Sequence, residues 1–398
     1  MTEVWIIDAV RTPIGKYGRS LAMIRPDDLG ALVLKALLDR TGLPPSEVED
    51  VYLGCANQAG EDNRNVARMS VLLAGFPDHV AGCTVNRLCG SGLEAVANAA
   101  RAIMVGEAQV YIAGGVESMS RAPWVMPRAE KAFPKGNITV YDTSLGWRLV
   151  NPKMVELGHT DSLGQTAENL AEMYRISRES QDRFALHSHR KAVAAQDAGR
   201  FCDELVPVTT PEGVFEADEC PRRDTSLEKL ATLKPVFKKD GTVTAGNASP
   251  LNDGAAALLL VSREYAESHG LTPLARVVAT AVAGVPPRIM GIGPVPATRK
   301  VLQRLGLALE NIGLIELNEA FAAQSLAVLH DLEIDPEDPR LNPNGGAIAL
   351  GHPLGCSGAR IATTLLHEMK RRADVEFGLA TMCIGVGQGI AMVFQKTG

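Results

Sequence analysis

The sequence predicts a layered α/β fold built from two similar halves with a long segment inserted between them. Three observations carry this. First, strand-like and helix-like stretches alternate along a glycine-rich chain of 398 residues, too long for one ordinary core. Second, a pattern recurs. Gly42-Leu43 ahead of Val48, Val51 and Leu53 returns 264 positions later as Gly306-Leu307 ahead of Ile312, Ile315 and Leu317. Ser91-Gly92 returns 266 positions later as Ser357-Gly358, and Val110–Gly115 falls on Glu376–Thr381 at the same spacing. Near-constant offsets over several elements indicate duplication. Third, residues 121–247 have no counterpart in the second half. The expected organisation is a first half over 1–120 completed by 248–270, a loop or lid segment over 121–247, and a second half over 271–398.

In the first half a strand is expected over Val4–Ala9. A helix over Asp28–Arg40 should bury Leu29, Leu32, Val33, Ala36 and Leu37. A strand over Val48–Leu53 follows. The run Val80–Val85 leads into Asn86-Arg87-Leu88-Cys89-Gly90-Ser91-Gly92. A helix leaves it with Leu93, Val96, Ala97, Ala100 and Ile103 on one face, stopped by Gly106. Cys89 therefore belongs on a strand-to-helix turn, with glycines expected to supply the sharp bend. Amides and the positive helix end there should favour its thiolate. The strand Val110–Ala113 closes the unit. By the repeat, the helices that begin at Ser91 and Ser357 should lie side by side at the centre.

The inserted segment contains a helical hairpin, Thr166–Tyr174 and Ser177–Gln196, the second opened by a capping box at Ser177-Arg178-Glu179-Ser180-Gln181. Arg222-Arg223, Lys229, Lys234 and Lys238-Lys239 form a basic cluster suited to a phosphate-bearing ligand. The alternative for such a run is a solvated surface.

Three polar or glycine-rich turns mark the second half: Glu316–Phe321, Asn342–Gly355 and Cys383–Gly389. Strand-end loops are where α/β folds place chemistry. His352, between Gly351 and Pro353, is set apart from the helical histidines and suits a base for the Cys89 thiol. Cys383 is a second cysteine in such a loop. Asn318 and Glu319 are expected to hold water or polarise a carbonyl. The amides of Cys89 and Gly385 could form an oxyanion hole. Two cysteines and a histidine suggest chemistry on a thioester, one thiol carrying the acyl group and the other moving a proton.

Composition excludes several classes. A net charge of −6 offers no general attraction to nucleic acid or anionic lipid. Seven scattered cysteines without a CxxC pair argue against a disulfide framework or zinc site and fit a reducing cytosol. The start Met1–Asp8 reads as a strand rather than a signal peptide, no apolar run is long enough to span a membrane, and Gln395–Gly398 carries no peroxisomal address.

Together these stretches resemble the thiolase family over essentially the whole chain. The resemblance rests on Val10–Gly15, Asn86–Gly92, Gly114–Ser120, Thr244–Ser249, Asn318–Ala322, Gly345–Pro353 and Cys383–Gly385. It implies a five-layered αβαβα sandwich plus a loop domain. It also implies acyl transfer between an acyl-CoA and CoA or acetyl-CoA with no permanently bound cofactor and no metal, in a homodimer or homotetramer. By the same resemblance Cys89 is the acylated nucleophile, His352 activates it, Cys383 exchanges a proton with the acetyl-CoA carbanion, and Asn318 fixes a water. Gly385 shares the oxyanion hole with Cys89. Ser249 and Arg222 would bind CoA, and Met290 and Phe321 would line its pocket. Pro250 stands where a glycine is usual, and Ser162-Leu163 stands where acetoacetyl-CoA thiolases carry His-Met. Gly54–Asn65, Tyr141–Arg148 and Asn342–Asn344 resemble the β-ketoadipyl-CoA thiolase branch. A dicarboxylic substrate needs a cation near its acyl tail, with Arg148 and Arg64 as candidates. The alternatives are a biosynthetic acetoacetyl-CoA thiolase, a decarboxylating condensing enzyme, against which Cys383 argues, and a non-catalytic acyl-CoA or lipid carrier of the same fold.

Overall fold

The structure, a computed structural model, describes residues 2–397. Its first half runs β1 (Val4–Arg11), α1 (Pro26–Thr41), β2 (Asp50–Gly54), α2 (Val66–Leu73), β3 (Ala81–Val85), α3 (Ser91–Val105), β4 (Val110–Ser118). The helices α4 (Leu163–Met173) and α5 (Arg178–Asp197) follow, then β5 (Asn252–Ser262). The second half runs β6 (Ala275–Gly284), α6 (Pro294–Leu305), β7 (Ile312–Leu317), α7 (Ala322–Asp331), α8 (Leu354–Arg371), β8 (Phe377–Ile384), β9 (Gln388–Gln395).

The strand order β3-β2-β4-β5-β1 continues into β6-β9-β8-β7. Each half therefore has the same topology, with the place of β3 taken in the second half by a single parallel bridge, Ile315 to Leu341. The halves join edge to edge where Val4–Ile6 pair with Ala275–Val277. Strands β2, β3 and β4 are mutually parallel around β2, and β7 is parallel to β8. Within each half the C-terminal ends of these parallel strands therefore face one way.

Side-chain alternation builds the layers. In β5, Ala256, Leu258 and Leu260 face inward to α3 and α8, while Ala255, Ala257, Leu259 and Val261 face outward to α1 and α2. In the second half, Met382, Ile390, Met392 and Phe394 face the same central helices. Leu379, Ala391 and Val393 face α6 and α7. The layers are thus α1/α2, the first half-sheet, α3/α8, the second half-sheet, and α6/α7.

The central helices cross where the repeat puts Ser91-Gly92 against Ser357-Gly358. A Cβ on Gly92 would lie 2.7 Å from the Ala359 nitrogen, and one on Gly358 would lie 2.3 Å from the Leu93 nitrogen. Glycine is needed there for close approach.

Local expectations hold with adjustments. Helix α3 buries all five residues of its expected face and ends at Gly106 in a left-handed conformation. Helix α1 is rotated from the expected face. Leu34 and Leu38 are buried, whereas Leu32 and Ala36 are only half-buried. Only half of the capping box forms. Ser177 Oγ accepts from the Ser180 amide at 3.1 Å, while Gln181 turns away to Thr242.

Candidate active site

The Cys89 turn is bent by Leu88, not by glycine. Leu88 has φ 48°, and its amide donates to Asn86 Oδ1 at 2.8 Å. Gly90 has φ −82°, and a Cβ there would sit 2.6 Å from Ile384 Cδ1. Its smallness admits the strand end of the second half. Leu88 therefore carries the positive φ in a residue type that rarely adopts it.

This contact brings Gly385 to the Cys89 turn. The amides of Gly385 and of Cys89 itself approach the Cys89 sulfur and favour its anion. Burial outweighs them and pushes the thiol up to about 11. The expected thiolate at the helix end is thereby corrected: Cys89 rests as a thiol. Burial and the neighbouring Cys89 push Cys383 upward as well.

His352 follows Gly351, whose φ of 110° requires glycine. The His352 amide donates to Asn252 Oδ1 at 2.8 Å. Its Nδ1 lies 2.6 Å from Ser357 Oγ, and its Nε2 lies 3.4 Å from Asn318 Nδ2. Burial, reinforced by Arg360, lowers its pKa to about 3, so the ring is neutral. Asn318 Oδ1 is buried without a protein partner among the described residues.

Glu319 does not share this polar role. Its carboxylate accepts from Ser188 Oγ at 2.6 Å, Asn342 Nδ2 at 2.8 Å and the Ile348 amide at 3.2 Å. That knot fixes the loop before His352 and engages both of the carboxylate oxygens.

Met290, Phe321 and Cys383 share one buried apolar cluster with Leu163 and Ala248. Ala248 bridges Phe321, and the Ser249 amide donates to Ala320 O at 3.0 Å. Ser249 is thus laced to the strand-end loop of Asn318. Phe237 packs edge-on to Phe321 with ring centroids 6.1 Å apart. A cavity of about 410 Å³ is walled by Cys89, Gly385, Met290, Leu163 and the segment Thr143–Arg148.

Arg222 lies elsewhere. It lines a separate cavity of about 110 Å³ with His189, Gly246, Ala248 and Pro250. The basic cluster is partly spent on surface ion pairs: Arg223 with Asp197, Lys229 with Asp224, Lys238 with Glu172. Arg222, Lys234 and Lys239 have no such pair among the described residues. Arg148 lines the Cys89 cavity and Arg64 does not.

Residues not foreseen hold the site together. Glu117 accepts from the Ala56, Asn57 and Gly355 amides at 2.9, 3.1 and 2.7 Å, tying the β2 loop to the start of α8. Burial raises its pKa to about 7. Its signal was an acidic residue inside an apolar strand. Ser357 was visible through the repeat, though not as the partner of His352. Asn252 carried no signal.

A duplicated α/β sandwich with a buried thiol under two amides, a second thiol beside it and a buried neutral imidazole at the start of a central helix has the architecture of an acyl-transferring enzyme. The chain belongs to the thiolase family: the N-terminal thiolase domain matches residues 4–264 and the C-terminal thiolase domain residues 271–396. It is 58% identical over 399 residues to a beta-ketoadipyl-CoA thiolase of Pseudomonas aeruginosa, covering 99% of each chain. It is 56% identical over 402 residues to a 3-oxoadipyl-CoA/3-oxo-5,6-dehydrosuberyl-CoA thiolase of Escherichia coli, covering 100% of each. Among solved structures, the acetyl-CoA acetyltransferase of Bacillus anthracis superposes with TM-score 0.94 at 46% identity, covering 100% of this chain and 99% of that one. No helix among the described residues is long and apolar enough to cross a membrane.

Proposed function

We propose that this thiolase cleaves 3-oxoadipyl-CoA with CoA, giving succinyl-CoA and acetyl-CoA. The observation that carries the chemistry is the Cys89 thiol under the Gly385 and Cys89 amides at the wall of a 410 Å³ cavity. The names of the relatives at 58% and 56% identity support the substrate.

In this reading Cys89 gives its proton to His352 Nε2 as its sulfur attacks C3 of the substrate. The C3 oxyanion takes hydrogen bonds from the amides of Cys89 and Gly385. The C2–C3 bond breaks, its electron pair passes to C2, and Cys383 supplies the proton that completes acetyl-CoA. The thioester oxygen is held meanwhile by protonated His352 and a water on Asn318. CoA then returns a proton to Cys383 and attacks the acyl-Cys89 carbonyl. The departing Cys89 sulfur recovers its proton from His352. High thiol pKa values suit this sequence, because both sulfurs start protonated and ionise only in step with the reaction.

Ser249, Met290 and Phe321 bind the CoA arm, and Arg222 reaches its phosphates. Residues 121–247 act as the CoA-binding lid. The enzyme works in the cytosol as a homodimer or homotetramer; the exposed and half-buried edge strand β3 suits pairing with a second copy.

The test compares acetoacetyl-CoA, 3-oxohexanoyl-CoA and 3-oxoadipyl-CoA as substrates of the intact enzyme. The highest kcat/KM is expected for 3-oxoadipyl-CoA, with an acyl adduct on Cys89 by mass spectrometry that Cys89→Ala abolishes. A preference for acetoacetyl-CoA refutes the substrate, and thiolysis retained by Cys89→Ala refutes the mechanism.

A further inference from the structure

We propose that Arg148, braced by Asn57, is the clamp that recognises the distal carboxylate of the acyl chain, an inference that rests on the 3-oxoadipyl-CoA reading. The cavity that holds Cys89 is largely apolar, and four ionisable residues line it: Cys89, Arg148, His159 and Asp161. The Asp161 carboxylate is already engaged, 3.2 Å from Arg288 Nε and 3.0 Å from Asn169 Nδ2. Among the described residues the Arg148 guanidinium has one hydrogen-bond partner, neutral Asn57, to which Nη2 donates at 3.1 Å. No carboxylate lies within ion-pair distance of it among the described residues. A half-buried cation in such a wall recovers its lost solvation when an anion arrives.

The bracing is built from both sides. Asn57 Nδ2 donates to the Thr143 carbonyl at 3.0 Å, and its Oδ1 accepts from Arg148. The Asn57 amide is held by Glu117 at 3.1 Å. The Glu117 carboxylate also holds Gly355, at the start of the helix that carries Ser357. Arg148 is thus tied through two side chains to the frame that positions His352. A preset guanidinium fork loses little freedom on meeting a carboxylate, which it can take with two parallel hydrogen bonds.

The chemistry of the chain length agrees. A succinyl group on Cys89 carries its carboxylate four bonds from the sulfur, too short to escape the cavity in which the thioester forms. An unpaired carboxylate there would be strongly disfavoured. A cation in the same wall turns that penalty into selection for a dicarboxylic acyl group over a straight-chain one of equal length.

The experiment measures kcat/KM for 3-oxoadipyl-CoA and for 3-oxohexanoyl-CoA, which replaces the carboxylate with a methyl group, and takes their ratio in each preparation. The ratio is insensitive to the fraction of enzyme folded. Arg148→Gln should lower it by about 10- to 100-fold, the weight of a charged hydrogen bond, mainly through KM for 3-oxoadipyl-CoA. Arg148→Lys should recover part of it. Asn57→Asp, which supplies Arg148 with a competing carboxylate, should lower it with the arginine still present. A ratio unchanged in all three variants overturns the clamp. So does a parallel rise in KM for CoA and for both substrates, which assigns Arg148 to the CoA phosphates. Wild-type enzyme that cleaves 3-oxohexanoyl-CoA but not 3-oxoadipyl-CoA overturns the substrate reading and the clamp together. A wild-type preference for 3-oxoadipyl-CoA that survives Arg148→Gln overturns the clamp alone.

Discussion

His352 Nδ1 lies 2.6 Å from Ser357 Oγ, and Ser357 Oγ in turn donates to the Pro353 carbonyl at 3.0 Å. The serine hydrogen is therefore committed, so Nδ1 must carry the ring proton and donate it to Ser357. Nε2 is left with its lone pair on the side of Asn318. One hydroxyl thus decides which nitrogen keeps the lone pair.

Ser357→Ala frees the other tautomer. Acylation of Cys89 by acetyl-CoA in a single turnover should slow by about 10- to 100-fold. Little change is expected in the thermal midpoint. An acylation rate within twofold of wild type refutes the orienting role.

Cys383→Ser separates the two thiols. A buried hydroxyl is a far weaker acid than a thiol, so protonation of the carbanion should suffer most. Carbon–carbon cleavage is expected to fall by about 10²-fold or more, and acyl exchange between acetyl-CoA and Cys89 by about tenfold at most. Equal losses in the two half-reactions would count against the division of labour.

His352 carries a pH signature in stability. Burial, with Arg360, holds its native pKa at about 3, against an ordinary value of 6.5. Between those values the unfolded chain binds more protons at this position. Stability therefore rises with pH across that window and is lost as pH falls from about 6.5 toward 3, at up to about 1.4 kcal/mol per pH unit. In urea unfolding at pH 6 and pH 5, His352→Asn should make the stability slope shallower by about 1 kcal/mol per unit. An unchanged slope shows that the native imidazole is already protonated there.

Gly92→Ala tests the crossing of α3 and α8. The new methyl group would meet the Ala359 nitrogen at 2.7 Å and the Gly355 oxygen at 2.8 Å, both backbone atoms that cannot swing aside. The expected cost is about 3 kcal/mol, with loss of activity because Gly355 leads into Ser357. A variant as stable as wild type in chemical denaturation would falsify this account of the crossing.

Local order was legible where one period dominates. Leu93, Val96, Ala97, Ala100 and Ile103, spaced at the helical period, are all buried in α3. It was less legible in α1, whose core contacts at Leu34 and Leu38 come from packing on α2 as well as on the sheet. The pairing within the basic cluster was hidden for a related reason. Asp197, Asp224 and Glu172, which neutralise Arg223, Lys229 and Lys238, include residues distant in sequence.

The sequence by itself determined the duplicated plan, the family, and Cys89, His352 and Cys383 as candidates, because repeats, periodicity and motifs are properties of residue order. Tertiary structure decided their state. Burial is a sum over neighbours from both halves, and it reversed the expected thiolate at Cys89 into a thiol with a pKa of about 11. It also kept His352 neutral. The turn that folds Ser357 back onto His352, five residues earlier, left the ring's lone pair on Nε2. Long-range hydrogen bonds, which no local pattern encodes, did the rest. They closed Glu319 into a structural knot and set Arg148, rather than Arg64, into the wall of the Cys89 cavity.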